Sequence, residues 1–250
     1  MVPLQTLARQ DGIDMLRGFA LLWMALYHFA FDLNNFGYLH QDFYRDPVWT
    51  LQRTTILSLF LFCAGFGQAM AWRNGQGWPR FWRRWLVIAG CALLVSAGSW
   101  LMFPRSFIYF GVLHGMAVML VLARVTAAWG SWCLLPAALA LAAPTISAGW
   151  IADSTWSGAL NGPALNWLGL ITRKPITEDY VPLLPWMGVV WIGLASASLW
   201  RRVGAPGSAW RATTWIGATA TWLGRRSLTF YMLHQPVLIA AVWLFTAVSR

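Results

Sequence analysis

His28 and Asp32 stand four residues apart inside Ile13–Gly37, a stretch otherwise apolar enough to cross a membrane. Residues at i and i+4 share a helix face, so this spacing suits a general base and the carboxylate that orients it. An ionised side chain at mid-bilayer costs about 2.5–3.5 kcal/mol on insertion scales, so ionisable groups kept in a span are expected to serve a function. Asp14 and Arg17 begin the same segment, three apart. They can pair along one helix face, or Arg17 can turn to an anionic cofactor.

Three further histidines extend the pattern. His114, in FGVLHGMAV, falls at a depth similar to His28 on a different span. Together they suggest one cavity opening outward. His234, in LTFYMLHQPVLI, lies about seven residues from the inner end of the last span and can line the deeper part, counting about 1.5 Å per residue. His40 lies in the first outer loop. His28, His114 and His234 are also open to a structural role, bonded to a neighbouring helix, and His40 to simple solvation. Pro236 frees a backbone carbonyl one turn earlier, near Met232, which in a membrane must be re-satisfied or line a wet cavity.

The elements that must position these residues are membrane helices. Of the 250 residues, 58% are hydrophobic and 10% charged, with 19 Trp and 14 Phe, and the mean hydropathy is +0.54. Soluble domains carry about 25% charged residues. The composition gives an all-α, polytopic integral membrane helical bundle, a single domain over residues 1–250. A bilayer core of ~30 Å needs about 20 helical residues. Seven stretches qualify: Ile13–Leu33, Thr54–Trp72, Trp85–Phe103, Phe107–Ala127, Gly130–Trp150, Leu183–Trp200 and Ser227–Val248. Ala209–Leu223, rich in Trp, Thr and Gly, reads as an interfacial amphipathic helix.

The net charge of +10 comes from 17 Arg and Lys174 against eight acids. The basic residues cluster between spans, which argues against a nucleic-acid partner and for the positive-inside rule. Arg73, Arg80, Arg83 and Arg84 follow span two, Arg201, Arg202 and Arg211 follow span six, and Arg225 and Arg226 precede span seven. An N-terminus in the cytoplasm places all of these inside, with Arg105 and Arg250 as exceptions. It leaves Ile151–Pro182, with Asp153, Glu178 and Asp179, outside. The first residues lack the apolar core and cleavage site of a secretory leader, so span one is expected to direct its own insertion. Cys63, Cys91 and Cys133 lie in apolar stretches without metal-ligand spacing, and no metal is expected.

With those residues in hand, the chain resembles the heparan-α-glucosaminide N-acetyltransferase-like group of the transmembrane acyltransferase superfamily. The likeness is carried in order by IDMLRGFALLWMALYHFAFDLNNFG, LFLFCAGFGQA, FIYFGVLHGMAV, DYVPLLPWMGVVWIG and LGRRSLTFYMLHQPVL, which cover nearly the whole chain. The resemblance implies transfer of an acetyl or other short acyl group from cytosolic acyl-CoA to a saccharide or glycolipid amine or hydroxyl across the membrane. A membrane histidine would act as base or transient acyl carrier. In the wider superfamily that histidine follows the RG of span one, here His28; in the lysosomal enzyme it lies slightly later, near His40. His28 is preferred for its partner Asp32 and its depth.

The implied roles are then as follows. His28, Asp32, His114 and His40 are the catalytic candidates. Arg17, Asp14, Arg73, Arg84, Arg225 and His234 are candidates for the acyl-CoA side, where Arg suits phosphate geometry. Asn34, Asn35, Asp179 and Tyr180 are candidates for the acceptor, with Asn34, Asn35 or His114 as oxyanion donors. The lipid bilayer is the remaining partner, a bacterial inner membrane the expected location, and the oligomeric state is open, a homodimer included. A transporter or flippase, and a non-catalytic component of envelope assembly, are the competing readings.

Overall fold

The computed structural model describes residues 10–207 and 210–248, and every regular element there is helical. In chain order the α-helices are α1 (Asp11–Asn35), α2 (Pro47–Arg73), α3 (Trp78–Met102), α4 (Val112–Val125), α5 (Leu134–Ala152), α6 (Ser157–Asn161), α7 (Leu183–Arg202), α8 (Trp215–Arg225) and α9 (Ser227–Val248). Each of the seven expected spans falls on one of them. The first nine residues, expected to lack a secretory leader, and Arg250 lie outside the described residues.

Among the described residues five stretches are long and apolar enough to cross a membrane: Pro47–Arg73, Trp78–Met102, Val112–Ala152, Leu183–Arg202 and Ser227–Val248. The third contains both α4 and α5, joined through a 3-10 run at Thr126–Cys133, where Gly130 takes φ 60° and ψ −124°. That left-handed φ is open to glycine at little cost, so the chain kinks there with almost no loop. At 25 residues α1 is long enough to cross, but Asp11, Asp14, Arg17 and Asp32 keep it out of the apolar set. The chain is thus a polytopic helical integral membrane protein.

Several boundaries differ from expectation. Both α2 and α3 start seven residues early, because Asp46 accepts a 2.7 Å bond from the Val48 N–H to cap α2 ahead of Pro47 and Pro79 sits in the first turn of α3. Such residues initiate helices without being apolar. Conversely α4 starts late. Phe107–Gly111 is extended and is held to the segment before α7 by Val181 N–H to Phe110 O (3.1 Å) and Glu178 N–H to Ser106 O (2.9 Å). Helix α8 has eleven residues, roughly 16 Å, too short to cross alone.

Contacts divide the chain into two compact units, one spanning Ala64–Pro206 and the other joining the chain up to Cys63 with the chain from Gly207. In the second of these, α8 lies directly on α1. A Cβ at Gly18 would collide with the Ala220 carbonyl, and one at Gly224 with the Asp14 carbonyl. Only bare glycine backbone allows that approach, as in tight membrane helix pairs. Beside this crossing, Leu21, Met24, Tyr27, Phe43, Ile56 and Leu223 form the buried core, with Phe43 stacked on Trp49 at 4.1 Å. In the Ala64–Pro206 unit, Trp85 Nε1 donates to the Ala117 carbonyl at 2.8 Å, tying α3 to α4. Trp191 Nε1 donates to Thr126 Oγ1 at 3.0 Å, tying α7 to the 3-10 run.

Candidate active site

Helices α1 and α9 bring His28, Asp32, His234 and Gln235 together. The rings of His28 and His234 meet edge to face with centroids 5.2 Å apart. Asp32, only 3% exposed, accepts from the Gln235 amide, with Nε2 2.9 Å from Oδ1 and 3.1 Å from Oδ2. Among the described residues no hydrogen bond joins Asp32 to His28. The expected pairing along α1 is therefore replaced by a pairing across helices. The physical reason is that a buried carboxylate needs N–H donors, and an amide side chain on the facing helix supplies them.

His234 has a defined tautomer. Its Nδ1 lies 2.7 Å from the Tyr231 carbonyl; a carbonyl only accepts, so Nδ1 carries the proton and Nε2 is a bare lone pair. That Nε2 is buried and has no partner among the described residues, and neither has Gln235 Oε1. Phe230 stacks on the ring with planes 8° apart. The site thus holds two orphaned acceptors, which suits a ligand that brings N–H or O–H groups. Gln235 is the residue missing from the sequence-derived set. Its signal was an amide beside a histidine in an otherwise apolar span.

Other expected residues of this unit are committed elsewhere. Arg17 Nη1 lies 3.4 Å from Asp14 Oδ1 and its Nη2 donates to the Cys63 carbonyl at 3.3 Å. Arg225 reaches Asp11 Oδ1 at 2.7 Å and Asp14 Oδ2 at 3.5 Å. Arg211 Nε also approaches Asp11 Oδ2 at 4.0 Å, so three arginines meet two carboxylates and most of the positive charge is offset within the network. Asn34 Oδ1 accepts from the Gln41 N–H at 2.7 Å, closing the turn after α1. Asn35 and His40 are exposed.

The remaining candidates belong to the Ala64–Pro206 unit. Both ring nitrogens of His114 are occupied. The Gly111 N–H donates to Nδ1 at 3.3 Å, so Nε2 carries the proton and faces Ser96 Oγ at 3.0 Å. Ser96 in turn donates to the Ile108 carbonyl at 2.7 Å. This chain fastens the start of α4 to α3 and leaves no free lone pair or donor on the ring. Asp179 Oδ2 accepts from the Val112 N–H at 2.7 Å, capping α4 from outside the helix. Tyr180 donates to the Asn166 carbonyl at 2.6 Å, and Asn166 Nδ2 donates to Tyr109 at 2.7 Å. Burial, with Tyr109 close by, pushes the Tyr180 phenol above its ordinary range. Arg73 Nη2 donates to Ser198 Oγ at 2.9 Å, whereas Arg84 is exposed.

Comparison with known proteins gives one match of wide extent: the profile of the heparan-alpha-glucosaminide N-acetyltransferase catalytic family aligns with residues 9–236. No curated protein and no solved structure matches the chain. The aligned region takes in α1 with His28, the kink at Gly130 and α9 as far as Pro236, so both histidines of the facing pair lie inside it. On that extent the chain belongs to the heparan-alpha-glucosaminide N-acetyltransferase catalytic-domain family of membrane acetyltransferases.

Proposed function

We propose that the protein moves an acetyl or other short acyl group from cytosolic acyl-CoA to an amine or hydroxyl of a saccharide or glycolipid acceptor on the extracytoplasmic face. The observation that carries this reading is the unpartnered Nε2 of His234 beside the His28 ring. Transfer from a thioester removes a proton from the acceptor N–H or O–H and returns one to the departing sulfur. A neutral imidazole with a bare lone pair does the first, and the imidazolium it becomes does the second. The Tyr231 carbonyl on Nδ1–H keeps the His234 ring in the tautomer that leaves Nε2 basic, and it favours the ring once charged. His28 supplies a second imidazole for relay or for transient acyl attachment. Gln235 anchors Asp32, whose carboxylate offsets positive charge in the cluster, and Gln235 Oε1 is free to accept from the incoming acceptor.

In this reading the N-terminus faces the cytoplasm of a bacterial inner membrane, and the arginine-rich helix ends face the donor. Acyl-CoA turnover in nanodiscs tests it. His28→Gln and His234→Gln are each expected to lower kcat by about 100-fold or more, with His40→Gln retaining turnover. Loss of activity in His40→Gln together with its retention in His28→Gln would overturn the assignment. A wild-type protein that consumes no acyl-CoA but shows substrate-dependent proton flux in liposomes would be a transporter.

A further inference from the structure

Arg124, near the end of α4, is 6% exposed. Its Nη2 donates to the Gln76 carbonyl in the turn between α2 and α3. Its guanidinium lies over the rings of Trp78 and Phe81, 5.5 and 5.9 Å from their centroids. Its Nη1 is buried and has no hydrogen-bond partner among the described residues; the same is true of Arg73 Nε at the end of α2. Arg201 and Arg202 add like charge beside Arg73. Among the described residues no carboxylate pairs with Arg73 or Arg124. The acids of this unit, Asp153, Glu178 and Asp179, all lie in the segment between α5 and α7.

The contrast with the other unit, where Arg17 and Arg225 are met by Asp11 and Asp14, decides what the buried Arg124 can do. A buried guanidinium without a counter-charge is costly unless an anion completes it. The start of α3 adds to the demand. Gly77 precedes it without a side-chain cap, so the Trp78 and Arg80 N–H groups (Pro79 has none) and the positive helix end are open to an anion. Planar Arg forks with spare N–H groups match the oxygens of a phosphate.

We infer that Arg124, with the uncapped start of α3 beside it, forms a binding site for a phosphate-bearing anion. Two sources share that chemistry, the phosphates of the acyl-CoA donor and the headgroup of an anionic lipid, and the inference rests on the acyl-transfer reading for the first source alone. The aromatic floor of Trp78 and Phe81 holds the Arg124 fork in plane, so the charge and the fork both matter.

The test uses the full chain in nanodiscs and three probes: CoA, acetyl-pantetheine (the same thioester arm without the nucleotide phosphates), and phosphatidylglycerol against phosphatidylcholine. If the donor is the source, Arg124→Gln weakens CoA binding at least ten-fold and leaves acetyl-pantetheine unchanged. If lipid is the source, phosphatidylglycerol raises the Tm of the wild type and not of Arg124→Gln, while CoA binds both alike. Arg124→Lys keeps the charge without the fork and should fall between. A folded Arg124→Gln protein that matches the wild type in both arms overturns the inference. Should that variant fail to fold, a wild type whose Tm responds to neither inorganic pyrophosphate nor phosphatidylglycerol overturns it equally. A wild type that neither binds acetyl-pantetheine nor transfers its acyl group sinks the enzymatic reading, yet leaves the pyrophosphate and lipid arms able to decide the site.

Discussion

Replacing Gln235 with Leu keeps the volume of the side chain and removes what holds Asp32. Hydrogen bonds to a charged group contribute about 1.5–3 kcal/mol each. One amide nitrogen reaching both oxygens counts for less than two independent bonds, so the loss is about 3 kcal/mol. The orphaned Oε1 of Gln235 disappears with the same change, which returns about 1 kcal/mol of desolvation penalty. The net destabilisation is then about 2 kcal/mol, or roughly 4–8 °C of Tm at this chain length. A double-mutant cycle with Asp32→Asn isolates the pair, because Leu at 235 should matter much less once the charge at 32 is gone. Thermal melting of the four proteins in one detergent gives the coupling. Strict additivity, or a Gln235→Leu protein that melts with the wild type, would refute the cross-helix anchoring of Asp32.

Two other outcomes follow from the geometry. Gly18→Ala places a methyl into the Ala220 carbonyl and Gly12→Ala meets nothing within 4 Å, so the first should cost about 1–3 kcal/mol and the second should leave stability equal or slightly higher, as judged by melting and monodispersity. For Tyr180 the folded phenol holds its proton above the ordinary value near 10, so its contribution is fully present below pH 10 and fades as pH rises beyond it. Melting between pH 8 and 11 should show that decline, and Tyr180→Phe should flatten it at the cost of the bond to the Asn166 carbonyl.

Helix existence was readable from apolar runs, and all seven expected spans have a helix. Ends were not, because Asp46, Pro47, Trp78 and Pro79 start helices by capping and fixed φ, which a hydropathy pattern does not register. At the site, His28 and Asp32 were visible as costly residues in a span. Their partners were not, since the donor to Asp32 lies 203 residues away and spacing along one helix says nothing about the facing one. His114 shows the converse. A histidine three residues after a glycine at a helix start reaches back to the backbone, and depth in the membrane gave no hint of that. Arg124 went unweighed because a single arginine near the end of an apolar span reads as an interfacial anchor until its burial is known.

The distance in sequence between Asp32 and Gln235 also has a temporal side. At 5–20 residues per second, a ribosome needs about 10–40 s to deliver α9 after α1 has left it. During that interval α1 enters the membrane with Asp11, Asp14, His28 and Asp32 lacking Arg225, His234 and Gln235. Water at the insertion machinery, or a chaperone with polar contacts, must shelter them. A ribosome stalled before α8 would present a first span that is poorly retained in lipid and open to quality control. Completion of the last helix therefore both brings His234 and Gln235 to His28 and Asp32 and releases the first helix into the bilayer.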